Sequence, residues 1–397
     1  MFDLAAVQQA IREFGFDGWL LYDFRGCNPL ARRILHFNEG AMLSRRWLYW
    51  IPAIGEPKKL VHRIEKGSLD HLPGERTVYL AWDEFEWGVA SLVRGAGRIA
   101  MEYSPRNAIP YISRIDAGTY ELVRSYGVEI ESSGDLVQKF EATWTEQQWR
   151  LHLEACRHTD SAYDRAWSYI VERVRQSGSV RETEVQRVIV DHFHDHGLTA
   201  EHPPIVAVNE HSGDPHYEPS VTNEGVIRQG DFVLVDLWAK VNHPDGVYSD
   251  LTRVGFVGET VPEKYERIFR IVANARDAAI QLVRERMASG EPLRGWEVDH
   301  AARSVIKTAG FGEHFIHRTG HNIGRETHGN GANMDSLETR EMRLVLPRTC
   351  FSIEPGIYLP EFGIRSEVNV FIDENRHVHV TAGELQRRVL PLLSMGF

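Results

Sequence analysis

Four carboxylates stand where apolar strands would otherwise run. In "FSIEPGIYLPEFGIRSEVNV", residues 351–370, Glu354 and Glu367 interrupt two hydrophobic runs. If this stretch folds into one hairpin turning at Pro360-Glu361, Glu354 and Glu367 sit opposite each other. Directly opposed residues have Cβ atoms about 4.5–5.5 Å apart, and two ionised carboxylates at that spacing repel unless a cation lies between them. The same reasoning applies upstream, in "GDFVLVDLWAKVNHPDGVYSDLTRVGFVG", where His243-Pro244-Asp245-Gly246 is a turn signal. A hairpin centred on His243 sets Asp236 opposite Asp250. Asp236 follows "FVLV" and Glu354 follows "CFSI", the ends of apolar runs where a solvated edge is not expected. Two inward pairs of hard oxygen ligands call for two divalent cations.

A further ligand would most naturally be nitrogen. The segment "HFIHRTGHNIGRETHGNGAN" carries His314, His317, His321 and His328 among glycines that exclude a regular helix. Upstream, "EHPPIVAVNEHSGDPHYEP" offers His202, His211 and His216 in a run of turn residues. The chain has 19 histidines, so one alone says little, and most are ordinary surface or core residues. Arg365 lies two residues before Glu367, which puts both side chains on one face of a strand. From there it can pair with a ligand carboxylate or bind an anionic group.

The elements that must position these residues fall into two textures. From Met1 to about Phe140, helical and strand signals alternate, with strands expected in "DGWLLYDF", "RRWLYWIPAIG", "GRIAMEYS" and "GVEIESS". Near residue 143 a long amphipathic helix begins, with Thr143 or Thr145 as its N-cap and Gly178 as its stop. A second helix is expected to open on the capping box Ser179-Val180-Arg181-Glu182 and to close at Gly197. Two more helices lie on either side of Gly290 and Pro292, and strands fill the intervals. The expectation is an α/β domain over 1–142 and an α+β domain over 143–397, with paired helices beside a mainly antiparallel sheet.

Composition narrows the function classes. The 397 residues are 42% hydrophobic and 25% charged, as in soluble globular proteins, and 56 acidic against 45 basic residues give a net charge of -11. That balance excludes the electrostatic footprint of a nucleic-acid binder. Cys27, Cys156 and Cys350 are too far apart for a disulfide framework or a metal knuckle and are expected to be reduced core thiols. Charges at Asp3, Arg12, Glu13 and Asp17 interrupt any apolar signal core, and no run long enough to span a membrane occurs, so cytoplasmic residence is expected.

Taken in order, "IVAVNEHSGDPHYEP", "VLVDLWAK", "GVYSDLTRVGFVG", "HRTGHNIGRETH", "FSIEPGIY" and "GIRSEV" resemble the pita-bread metallopeptidases, the family of methionine aminopeptidase, aminopeptidase P and prolidase. The motifs cover about residues 200 to 372, and helix placement extends the match to 145–397. The resemblance implies a creatinase-type N-terminal domain followed by a pita-bread catalytic domain. It implies that Asp236, Asp250, His321, Glu354 and Glu367 hold two divalent ions, with Asp250 and Glu367 shared between them. Manganese suits the hard ligand set best, and zinc and cobalt bind such sets tightly.

The resemblance also assigns roles around the metals. Glu354 takes a proton from the attacking water, His216 and His328 stabilise the oxyanion, and His317 lines the proline side of the pocket. Arg365 would bind the free carboxylate of an X-Pro dipeptide, for which a planar fork is suited. The implied activity is prolidase-like hydrolysis of X-Pro bonds in dipeptides or short peptides by a homodimer. Aminopeptidase P action on longer X-Pro peptides is the alternative within the chemistry. A metal-free creatinase and a peptide-binding scaffold share the fold, and five intact ligand types speak against both. Asn322, the "HGNGAN" segment after His328 and Val368 depart from the residues common in the family and bear on the shape of the substrate pocket.

Overall fold

A computed structural model describes residues 2–38, 40, 43–381 and 383–396. The chain divides into two compact units, Met1–Glu141 and Ala142–Phe397. Among the described residues no helix is long and apolar enough to cross a membrane.

The first unit is α/β. Strands β1 (Gly18–Asp23), β2 (Trp47–Pro52), β3 (Lys58–His62), β4 (Glu75–Tyr79), β5 (Arg98–Met101) and β6 (Glu129–Ser132) form one sheet in the order β4-β3-β2-β1-β5-β6. It is accompanied by α1 (Leu4–Glu13), α2 (Pro29–Ile34), α3 (Trp82–Val93), α4 (Ala117–Ser125) and α5 (Gly134–Glu141). Every residue of β1 is buried. Trp19 and Leu21 pack into one apolar cluster and Leu20 and Tyr22 into another, as a strand covered on both faces requires. β3 and β4 went unread in the sequence because "KKLVH" and "ERTVY" lack a clean apolar pattern, and β4 is largely exposed at the sheet edge.

The second unit is α+β. Its helices are α6 (Glu146–Ser177), α7 (Glu182–Asp195), α8 (Glu263–Ser289) and α9 (Gly295–Thr308). Its strands begin with β7 (Ser179–Arg181), β8 (Leu198–Thr199), β9 (Ile205–Val208), β10 (Val226–Arg228), β11 (Phe232–Val241) and β12 (Ser249–Phe256). Then follow β13 (Asn322–Ile323), β14 (Cys350–Ile353), β15 (Gly356–Leu359), β16 (Phe362–Arg365), β17 (Val368–Ile372), β18 (Val378–Thr381) and β19 (Leu390–Pro391). β11 is antiparallel to β12, β9 and β8, and β14 and β18 are both antiparallel to β17.

α6 starts at Thr145, whose hydroxyl accepts the Gln148 N–H while the Gln148 side chain accepts the Thr145 N–H. It stops at Gly178, which takes φ of 77°. The expected capping box at Ser179–Glu182 is not formed. Residues Ser179–Arg181 pair with β10 instead, and Glu184 accepts the Arg181 N–H at the start of α7.

The pleat of β11 sorts the core into two layers. Phe232 and Leu234 join the cluster that contains Phe269, Val272 and Val283 of α8 and Ala302 and Ile306 of α9. Val233, Val235, Leu237 and Ala239 join the cluster of Tyr163, Trp167 and Ile170 of α6 with Ile189 and Phe193 of α7. Asp236 has the parity of Phe232 and Leu234, and Asp250 has the parity of Val254 and Phe256 on β12, so both carboxylates leave the sheet on the α8/α9 face.

One register and one break in a ladder correct the sequence reading. Asp236 pairs with Thr252 and Trp238 with Asp250, a shift of two residues from the expected Asp236–Asp250 pairing. The cause is the turn, which closes with Gly246 N–H donating to the His243 carbonyl and so lies beyond His243. A shift of two preserves the face, leaving the two aspartates diagonal neighbours. In the other hairpin the expected register holds on both sides of the glutamates, with Ile353 opposite Val368 and Gly356 opposite Arg365. At Glu354 and Glu367 themselves the ladder opens. Glu354 N–H donates to the Thr319 carbonyl and Glu367 N–H to the Thr252 carbonyl, so each glutamate is tied to a different neighbour. The cysteine reading also needs one correction: Cys156 and Cys350 are buried, but Cys27 is exposed.

Candidate metal centre

The opened ladder and the α8/α9 face of β11 and β12 converge on one point. Oxygen or nitrogen atoms of Asp250, His321 and Glu367 all lie within 4.8 Å of one another, and all three side chains are buried. His321 Nε2 is 3.3 Å from Asp250 Oδ2 and 3.4 Å from Glu354 Oε1. Its Nδ1 faces the Asn322 carbonyl at 3.2 Å, which leaves Nε2 with the lone pair toward the carboxylates. Asp236 enters through Arg365, whose Nη2 donates to Asp236 Oδ2.

Several residues that sequence reasoning left without a role hold this cluster in place. Thr252 Oγ1 donates to Glu367 Oε2 at 2.7 Å and accepts from Arg365 Nε at 2.9 Å. Ser352 Oγ donates to Glu354 Oε1 at 3.0 Å and accepts the His321 N–H at 2.9 Å. The Asn369 side chain accepts the Asp250 N–H. Strand parity could have found Thr252 and Ser352, each two residues from a ligand candidate. Asp299, which accepts from both the N–H and the hydroxyl of Thr319, had no such signal because it acts from α9. Asn322 pins the loop after His328: its side chain accepts the Gly331 N–H and donates to the Cys350 carbonyl, and its carbonyl accepts the Gly329 N–H.

The histidines separate. His328 packs edge-on against His321 with ring centroids 4.3 Å apart. Mutual repulsion with the adjacent His321 imidazole, should both take a proton, and then burial hold His328 down at about 3, so it is neutral near pH 7. His216 sits in an exposed loop, near enough to contribute to that repulsion. His317 has both ring nitrogens occupied, by the Arg318 carbonyl at 2.6 Å and the Tyr358 hydroxyl at 2.7 Å. It therefore presents ring surface rather than a free hydrogen-bonding atom. His211 is committed to Glu182, 3.0 Å away.

Arg365 is buried, and its three nitrogens bond to Thr252, Tyr358 and Asp236. Tyr358 in turn bonds His317, so one chain of hydrogen bonds runs from Asp236 through Arg365 and Tyr358 to His317.

The donor set fits divalent cations. Four carboxylates face one guanidinium in a buried site, and Asp236 Oδ1 has no hydrogen-bond partner although it is out of contact with solvent. Burial pushes Asp236 up to about 6 and Asp250 up to about 7, and it raises Glu354 and Glu367 as well. Such a cluster of like charges relaxes when cations supply the missing countercharge. Of the five residues expected as ligands, Asp250, His321 and Glu367 bring ligand atoms within 4.8 Å of one another, Glu354 lies against His321, and Asp236 is joined to the group through Arg365.

Fold and site together define a metal-dependent peptidase class. Residues 150–374 match metallopeptidase family M24, and the chain belongs to that family. The chain is 30% identical over 257 residues to a putative dipeptidase, YkvY, of Bacillus subtilis, covering 64% of this chain and 64% of that protein. It is 30% identical over 260 residues to a Xaa-Pro dipeptidase of Pyrococcus furiosus, covering 64% of this chain and 68% of that one. The match thus spans just under two thirds of YkvY. In structure the chain superposes on dipeptidase PepE from Mycobacterium ulcerans with a TM-score of 0.66 at 22% identity, over 98% of this chain and 96% of that one. That likeness establishes the fold, an α/β domain followed by a pita-bread domain.

Proposed function

We propose that this protein hydrolyses X-Pro bonds in dipeptides or short peptides, as a prolidase-like metallopeptidase that holds two divalent ions. The observation that carries the reading is the clustering of Asp236, Asp250, Glu354, Glu367 and His321, all buried but the partly exposed Glu354, with Asp236 Oδ1 lacking a protein partner. Relatives named as dipeptidases and as a Xaa-Pro dipeptidase support it. Bound ions would polarise the scissile carbonyl and make a water acidic enough to attack near pH 7. The oxygen-rich ligand set favours manganese, with zinc or cobalt as substitutes. Three free cysteines fit a reducing cytoplasmic setting, and we place the protein there as a homodimer.

The chain's own residues supply the rest. Glu354 has one carboxylate oxygen held by Ser352, and burial raises its proton affinity, which suits a base that takes the water's proton. His328, a neutral imidazole packed against His321, donates an N–H to the developing oxyanion, and His216 reaches the same region from its exposed loop. His317 forms a ring wall for proline, locked by Tyr358. Arg365 holds Asp236 in place and balances charge.

That commitment of Arg365 favours a second reading on chain length. A guanidinium already bonded to Thr252, Tyr358 and Asp236 is less available to clamp the carboxylate of a dipeptide, which suits an aminopeptidase P-like pocket open to longer peptides. Mn²⁺-supplemented assays of Ala-Pro, Leu-Pro and Ala-Pro-Ala decide between them. Cleavage of the dipeptides alone supports the prolidase reading, faster cleavage of Ala-Pro-Ala supports the second, and no metal-dependent cleavage of any of them overturns both. His216→Ala and His328→Ala are each expected to keep the metal content and lose roughly a hundredfold in kcat. Metal lost in step with activity would reassign them as ligands.

A further inference from the structure

Among the described residues one other group of three side chains is placed to share a cation: His158 on α6, with His192 and His196 at the end of α7. One ligand atom from each lies within 4.8 Å of the other two. His192 and His196 are four residues apart and stand over one another on a helix face, with ring centroids 4.1 Å apart. Packing of α7 on α6 brings the His158 ring to 4.7 Å from that of His196.

Hydrogen bonds from one ring nitrogen orient two of these imidazoles, as second partners orient metal-bound imidazoles. Ser161 Oγ donates to the His158 carbonyl at 3.1 Å and therefore accepts from His192 Nε2 at 2.9 Å, which leaves His192 Nδ1 with its lone pair. His196 Nδ1 donates to the His192 carbonyl at 2.8 Å, which leaves its Nε2.

We propose that His158, His192 and His196 form a second, surface metal site that takes one zinc ion. Three imidazoles with no carboxylate among them suit zinc, whereas the oxygen-rich centre suits harder ions. Zinc with three protein ligands keeps a fourth position for water, and the exposed side of His196 provides it. Zn–N bonds of about 2.0–2.1 Å require the nitrogens to draw together from their present spacing. The ion ties α6 to the C-terminal end of α7, away from the peptidase centre.

Equilibrium dialysis of chelated full-length protein against Zn²⁺ tests the site in wild type, His192→Ala and His196→Gln. Wild type is expected to retain one more equivalent of zinc than either variant and to gain more in Tm on adding zinc. With Cu²⁺ as a probe, wild type is expected to show a resonance split by several imidazole nitrogens, a signature the peptidase centre cannot give because it offers one imidazole. His196 is exposed, so His196→Gln carries the test even if His192→Ala folds poorly. Equal zinc stoichiometry in wild type and His196→Gln, or a copper signal from a single nitrogen in both, overturns the proposal.

Discussion

Thr252 shows how much of the site rests on a residue that is not itself a ligand. One hydroxyl donates to Glu367 and accepts from Arg365, fixing a carboxylate of the candidate centre and the guanidinium beside it. Thr252→Val keeps the shape and leaves both partners unpaired. Metal affinity is expected to fall 10- to 100-fold and stability by about 1–3 kcal/mol. A Mn²⁺ titration of the chelated variant checks the first, and unchanged affinity would reduce Thr252 to packing. His152 makes a different kind of prediction. It is fully buried, donates Nδ1–H to the Tyr248 carbonyl and accepts at Nε2 from Thr381, and burial holds it down at about 4. An imidazole whose folded pKa lies below its unfolded value of about 6.5 takes up its proton more readily in the unfolded chain. Its contribution is therefore complete above about pH 6.5 and is lost as pH falls through about 4, a loss of roughly 3 kcal/mol. Chemical denaturation between pH 7.5 and 4.5 should show a steeper decline in wild type than in His152→Gln.

At the scale of elements, the backbone around Gly320 is as restrictive as any side chain. A Cβ at Gly320 would meet the Ser352 carbonyl oxygen at 1.9 Å, so the segment carrying His321 lies flush against β14 only because residue 320 is glycine. Gly320→Ala is expected to push His321 out of reach of Asp250 and Glu354, with metal content and activity lost together while the secondary structure is kept. Retained metal would show that β14 can yield. The sequence carried the elements of this unit well where they were long and periodic: α6 with its Thr145 cap and Gly178 stop, and the strands that bear Asp236 and Glu354. It misplaced the Asp236–Asp250 pairing because turn residues mark where a chain reverses only to within a residue or two. Strand parity survived that error, so the face was right although the register was not. The opening of the ladder at Glu354 and Glu367 could not be read, since it depends on the Thr319 and Thr252 carbonyls, which come from distant segments. Ser179–Arg181 looked like a cap because its residue types suit one, and pairing with β10 overrode that local preference.

For the whole molecule, metal and stability are linked. Cations that bind only the folded centre stabilise it by about 2.7 kcal/mol at a hundredfold excess over Kd. Exhaustive chelation near pH 7 is therefore expected to lower Tm, and Mn²⁺ to restore it in wild type but not in Asp250→Ala. A Tm indifferent to chelation would mean that the buried carboxylates are accommodated without ions. The bond between Arg365 and Asp236 joins residues 129 positions apart, and it sets an order of events for a chain made from one end. While the polypeptide is being synthesised, Asp236 and Asp250 emerge long before the segment that bears Glu354, Arg365 and Glu367. A half-made chain thus has two of its carboxylates and neither the guanidinium nor the hairpin that completes the cage. With the ligands proposed above, a full set exists only once the segment through Glu367 has been made, so a ribosome stalled between β12 and β14 would leave a product without either glutamate of the centre.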